Sequence, residues 1–177
     1  MRILSRFVKF FWILSVILYF VALFSAYFYW PQVVDVKLKK AFGYNDIYVH
    51  RETLFYYFIA ALIVFNGVMF TIAKTFGKFP KAILPVSNKD FWLADEEKVS
   101  VARQVLKNWM LTFNASLNTL GAMFLGALFV INYQGEYNGS GDYMWLLPFS
   151  ITIITICILY PFVRFSIKSH LSTAYRG

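Results

Sequence analysis

Three amides stand out in the apolar stretches of this chain: Asn66, Asn114 and Asn118. A carboxamide both donates and accepts hydrogen bonds, so one surrounded by hydrocarbon needs a partner or a ligand. Asn114 and Asn118 are one helical turn apart and share a face with Gly121, while Asn118, Ala122 and Gly126 form a small-residue stripe at i, i+4 and i+8. Such stripes let helices approach closely, and amides between them add hydrogen bonds worth ~0.6 to 2 kcal/mol each. Two readings follow: the residues pack helices together, or Asn66, Asn114 and Asn118 line a polar pocket for a lipid or small solute.

Other chemistry is sparse. No Asp, Glu, Lys, Arg or His falls inside the four uncharged runs at 10–30, 53–73, 109–132 and 143–163. Proton relays, ion-coupled carriers and voltage sensors keep ionisable groups at that depth, which argues against all three. The two histidines, His50 and His170, fall in segments assigned below to opposite sides of a membrane, and Cys157 is the lone cysteine. A metal or haem needs convergent ligands, so no metal and no cofactor is expected. No serine has a spaced histidine and acid beside it, and no enzyme activity is expected. His50, Arg51 and Glu52 form a compact charged trio, read either as a contact for a head group or partner loop or as a solvated helix start. Asn138-Gly139-Ser140 matches a glycosylation sequon, in residues that a turn would use in any case.

The elements that must position these groups follow from composition. A chain of 177 residues with 59% hydrophobic residues and 15% charged has more apolar surface than a soluble core of that length can hide. A helix needs about 20 apolar residues to cross a bilayer, and helices are predicted over 10–30, 53–73, 95–132 and 143–163. The first run exceeds the ~7 to 15 residues of a signal-peptide core and lacks a clean small-x-small cleavage site, so it reads as a span. Tyr27, Tyr29 and Trp30 make an aromatic collar that Pro31 ends. Thr53 is a candidate cap for the second helix, with Lys74 and Gly77 at its end. Between the first two spans, Val33, Val34, Val36 and Leu38 suit a short strand, and Gly43 to Asp46 a turn.

The connector after the second span is the one long charged segment between apolar pairs. Pro80 and Pro85 keep its first part irregular; Asp95, followed by Glu96 and Glu97, then starts a helix. Val99, Ala102, Leu106, Trp109 and Met110 recur at helical spacing, so an amphipathic ramp runs into the third span. Phe91 and Trp92 read as interfacial anchors, and Asn88, Lys89 and Trp92 as contacts for a partner or head groups. The N-terminal segment, connector and tail hold 13 of the 17 basic residues. Cations mark the cytoplasmic side, so both termini and the connector are assigned there. The net charge of +8 is thus a topology signal, and nucleic acid is not an expected partner. The fold class is all-α: an integral membrane bundle of four transmembrane helices, N-in and C-in, with a cytoplasmic amphipathic extension of the third.

The segment 85–94, Pro-Val-Ser-Asn-Lys-Asp-Phe-Trp-Leu-Ala, resembles the signature of an uncharacterised family of small bacterial four-span membrane proteins. That family is itself similar to the N-terminal hydrophobic domain of SDP-type toxin-immunity proteins. Residues 48–56, Tyr-Val-His-Arg-Glu-Thr-Leu-Phe-Tyr, followed by Asn66, resemble the entry to its second span. The region of resemblance, taken from residue 48 to residue 94, covers about a quarter of the chain. It departs where the family has leucine-proline and a histidine after the first span, since this chain has Trp30-Pro31 and no histidine before His50. The resemblance implies a bacterial inner-membrane protein and no catalytic residues. The functional expectation is a non-enzymatic protein acting through partner contacts: an accessory subunit of a membrane complex, or an immunity or sensing element. Its lipid neighbours and a protein partner are the expected contacts. The alternative is a small transporter or lipid-binding protein with a polar intramembrane pocket.

Overall fold

A carboxylate starts the longest helix. Asp95 Oδ1 accepts the backbone N–H of Lys98 at 2.8 Å, satisfying a donor that the first turn leaves unpaired. The helix runs over Glu96–Tyr133, and the ramp residues Val99, Ala102, Leu106 and Met110 all lie on its buried side. Around it the computed structural model describes residues 2–36, 48–133 and 143–167. In chain order these form α1 (Arg2–Tyr29), β1 (Val33–Asp35), β2 (Tyr48–His50), α2 (Arg51–Phe76), a 3-10 turn (Lys81–Ile83), α3 (Lys89–Trp92), α4 (Glu96–Tyr133) and α5 (Leu146–Ser166). The described residues are helical apart from one strand pair and the connecting segments, and α1, α2, α4 and α5 are each long and apolar enough to cross a membrane.

Helix α4 is the central member, and α1, α2 and α5 all pack on it. Helix α1 presents Ser15, Tyr19, Leu23, Ala26 and Trp30 as one buried stripe, at the three- and four-residue spacing that one helix face requires. Two apolar clusters result. One lies at the basic end of the bundle, where Phe76, Leu84, Trp92, Leu106 and Phe165 meet. The other lies at the opposite end, where Tyr19, Leu23, Trp30, Val34, Leu125 and Leu128 meet. Most remaining large apolar side chains face outward, among them Ile17, Val64, Ile151 and Phe162, as expected of helices solvated by lipid.

Several boundaries differ from those predicted. Helix α1 begins at Arg2 instead of residue 10, because nothing between Arg2 and Lys9 breaks a helix and long basic side chains reach water from its flank. Thr53 does not cap α2: the capping position is His50, without a side-chain bond, and Thr53 lies inside the helix. Strand β2 feeds α2 directly, and the Arg51 N–H bonds to Gln32 O at 2.9 Å. The predicted strand forms over Val33–Asp35 and pairs antiparallel with β2, Val34 facing Val49. Asn132 fastens this pair to α4, accepting the Asp35 N–H at 2.7 Å and donating to Asp35 O at 2.9 Å. The irregular connector contains the 3-10 turn and α3. Trp92 is not an interfacial anchor: it is 4% exposed, buried against α5. Helix α5 starts three residues late and ends at Ser166, with Pro161 inside it. The turn at 43–46, the glycines and sequon of 135–141, and the tail with His170 lie outside the described residues.

Candidate functional site

The three asparagines do meet. Asn66 comes from α2, Asn114 and Asn118 from successive turns of α4, and α1 adds Trp12 and Ser15. Asn66 Oδ1 accepts three donors: Trp12 Nε1 at 3.0 Å, Asn114 Nδ2 at 2.9 Å and Asn118 Nδ2 at 3.0 Å. Its own Nδ2 donates to Asn118 Oδ1 at 2.9 Å and to Leu62 O at 2.8 Å. Asn118 Nδ2 also donates to Ser15 Oγ at 3.2 Å, and Ser15 Oγ donates to Trp12 O at 2.7 Å. Asn114 and Asn118 are 0% and 3% exposed. The cluster thus joins three helices midway between the two apolar clusters. One atom is left over: Asn114 Oδ1 is buried without a hydrogen-bond partner.

Chemically this is a fastener. Neutral amides do not titrate at ordinary pH, and their donors and acceptors here are almost all engaged with one another, with Trp12, with Ser15 and with Leu62 O. The stripe beyond Asn118 is divided. Ala122 packs against the second apolar cluster, but a Cβ at Gly126 would meet nothing within 4 Å, so Gly126 is not where helices touch. The close approach is at Gly121, where a Cβ would lie 2.9 Å from Tyr19 Cδ2 and nearer still to Cε2. Tyr19 lies across Gly121 and donates its hydroxyl to Phe58 O of α2 at 3.1 Å. Gly121 therefore takes the packing role expected of Gly126.

A cavity lies on another face of α4. It is a slot of about 330 Å³ between α1 and α5, floored by Thr112, Ala115, Ser116, Thr119, Leu120 and Met123, with Phe11 on one side and Phe149 and Ile153 on the other. Its hydroxyls turn inward: Ser116 Oγ donates to Thr112 O at 3.1 Å and Thr119 Oγ1 to Ala115 O at 2.9 Å. To a visitor the slot is thus mostly apolar. The slot runs along the roughly 16 Å that α4 rises from Thr112 to Met123. A narrow, mostly apolar slot of this kind is the shape that an extended acyl chain takes up.

The charged and connector candidates are placed as follows. Arg51 Nη1 donates to Trp30 O at 3.1 Å, and its guanidinium sits 5.1 Å from the Tyr27 ring centroid, a cation placed at the C-terminus of α1 where the helix dipole favours it. His50 and Glu52 are exposed beside it. In the connector, Asn88 Nδ2 donates to Phe165 O at 3.2 Å and Ser166 O at 2.8 Å, and Trp92 Nε1 to Phe165 O at 3.1 Å. Lys89 is exposed in the first turn of α3. Asp95, outside the spans, has its carboxyl held below the usual range by the Lys98 N–H and the Lys98 side chain.

Sequence reasoning passed over Trp12 and Tyr19, though an indole N–H or phenol in an apolar run needs an acceptor, and that need was the available signal. Trp109 makes the same point: its Nε1 donates to Cys157 O at 2.6 Å, tying α4 to α5. No protein-family model, curated protein or solved structure matches this chain. The resemblance of segments 48–56 and 85–94 rests on those residues alone.

Proposed function

We propose that this chain is a non-enzymatic, four-span protein of a bacterial inner membrane, with both termini and the connector in the cytoplasm, that acts through contacts with a partner protein. An accessory subunit of a membrane complex and an immunity or sensing element both fit this description. The observation that carries it is the closed asparagine cluster. The polar groups that a carrier would expose along a path are here spent joining α1, α2 and α4, so the molecule offers its surroundings shape and a basic rim. The segregation of 13 of 17 basic residues to one side supports the orientation.

A second reading, lipid binding, is favoured by the slot, whose apolar lining suits an acyl chain. It moves the ligand site from Asn66, Asn114 and Asn118 to the Thr112–Met123 face of α4. One experiment separates the two. A photoreactive residue is placed at Thr119 in the slot, at Lys89 on the connector, and at outward-facing Val64 as a control, with irradiation in native membranes. A discrete protein adduct at Lys89, absent at Val64, is the expected result. Lipid adducts confined to Thr119 overturn the partner reading in favour of the second, and adducts indistinguishable from those at Val64 overturn both.

A further inference from the structure

Helix α5 is held differently from the other three long helices. Of its 21 residues only Leu146, Pro161 and Phe165 are buried, and the slot separates much of its flank from α1. Its grip on α4 at mid-length is Trp109 Nε1 on Cys157 O and the approach of Cys157 Sγ to Ser116 Oγ at 3.7 Å. Its last turn is gripped by the connector. A helix end leaves carbonyls without intrahelical partners; here two of them, Phe165 O and Ser166 O, are taken by side chains more than 70 residues earlier in the chain, Asn88 and Trp92. The Trp92 ring meets Phe165 edge-on at 5.3 Å, and the Arg164 guanidinium lies 5.1 Å from the Trp92 ring centroid. To reach both carbonyls Asn88 adopts φ 53° and ψ 54°, the sole non-glycine residue with positive φ among those described. That left-handed conformation is uncommon outside glycine, although asparagine tolerates it better than most.

We propose that Asn88 and Trp92 form a releasable clasp that sets whether α5 lies against α4. Although Phe165 shares the apolar cluster at the basic end, the clasp stands apart from the asparagine cluster, which joins α1, α2 and α4 without α5, so that junction does not depend on it. It is also operated from outside. Asn88 is exposed, and groups in solution compete directly for its amide. When the clasp opens, α5 separates first at the basic end, and the slot beside Thr112 and Ser116 widens along α4. The inference is independent of whether a protein or a lipid occupies that slot.

The natural cysteine supplies the test. In a Ser116→Cys variant the new thiol faces Cys157, and iodine in native membranes oxidises the pair to a disulfide, taking two electrons as both thiols lose their protons. The rate of that step reports how often α5 is docked. Asn88→Gly removes the amide while keeping φ 53° accessible, and Trp92→Phe removes the N–H while keeping a ring in the core. With the clasp intact cross-linking is fast; the Asn88→Gly/Trp92→Phe double change is expected to slow it at least fivefold, each single change less. A second pair reports the core: Ser5→Cys with Gln104→Cys, in a Cys157→Ser background, where the native side chains lie 3.1 Å apart across α1 and α4. Its rate is expected to stay within twofold. An unchanged rate for the thiol pair that joins α4 to α5 overturns the clasp. So does an equal fall at both pairs, which would make the connector a support for the whole fold instead.

Discussion

Adding one methyl group at Gly121 tests the account of how α1 and α4 approach each other. The Cβ of Gly121→Ala would lie 2.9 Å from Tyr19 Cδ2 and closer to Cε2, well inside contact distance. The ring has little room to retreat, because Tyr19 is 6% exposed and its hydroxyl is tied to Phe58 O. Overpacking of this kind costs ~1 to 3 kcal/mol, and swinging the phenol away forfeits a hydrogen bond of ~0.6 kcal/mol. Alanine in a helix interior returns ~1 kcal/mol relative to glycine. The net expectation is a loss of about 0.6 to 2.6 kcal/mol. At Gly126 only the last of these effects operates, since a Cβ there meets nothing within 4 Å, so Gly126→Ala should gain up to ~1 kcal/mol. Thermal unfolding of both variants in one detergent, beside the parent chain, reads the two signs directly. A Gly121→Ala protein as stable as the parent, or two variants that shift together, would refute the close approach.

The asparagine cluster makes a second paired prediction. Asn118→Leu leaves Asn66 Nδ2 without one acceptor and Ser15 without a donor, and should cost ~1 to 2 kcal/mol in the same melt. Asn114→Leu gives up a single bond, leaves Asn66 Oδ1 two donors and removes the unpaired Oδ1, so it should cost less than half as much. Asn132→Ala removes both bonds to the Asp35 backbone and should cost ~1 to 2 kcal/mol, read as faster proteolysis of the strand pair with the melt of the helices little changed. Asp95 sets an acid limit. Its folded-state pKa lies below its ordinary value of 3.8, so its contribution is complete above 3.8 and decays as pH falls from there through the lower folded value. Asp95→Ala should therefore flatten the acid-side loss of α4 helicity measured by circular dichroism, while stability at neutral pH falls by the cap alone.

What could be read from the residue order, and what could not, divides along physical lines. Helix α4 was legible almost to the residue because a local signal, an acid followed by two more, coincides with a long apolar period. The meeting of Asn66 with Asn114 and Asn118 was legible as a need for partners, but not which partner each would take. Trp12 and Ser15 sit on α1 and reach the cluster only through the tertiary arrangement. The glycines differ for the same reason: Gly126 lies in the Asn118–Ala122 stripe and Gly121 on the face of Asn114 and Asn118, and only the direction from which Tyr19 approaches makes Gly121 the point of contact. The slot was invisible, since it depends on how far α5 stands from α1. Trp92 beside exposed Lys89 gave no hint that its indole is consumed by a carbonyl 73 residues away.

The triple acceptor at Asn66 also bears on how the protein is made. Its two donors from α4 arrive 48 and 52 residues later in the chain, which at ~5 to 20 residues per second of synthesis is a delay of several seconds. During that interval the first hairpin holds the amide to α1, among the described residues, through Trp12 alone, with Tyr19 on Phe58 O as a second tie between α1 and α2. A factor that shelters nascent helices would find its moment there, and slowed translation between the codons for Asn66 and Asn118 should lengthen it.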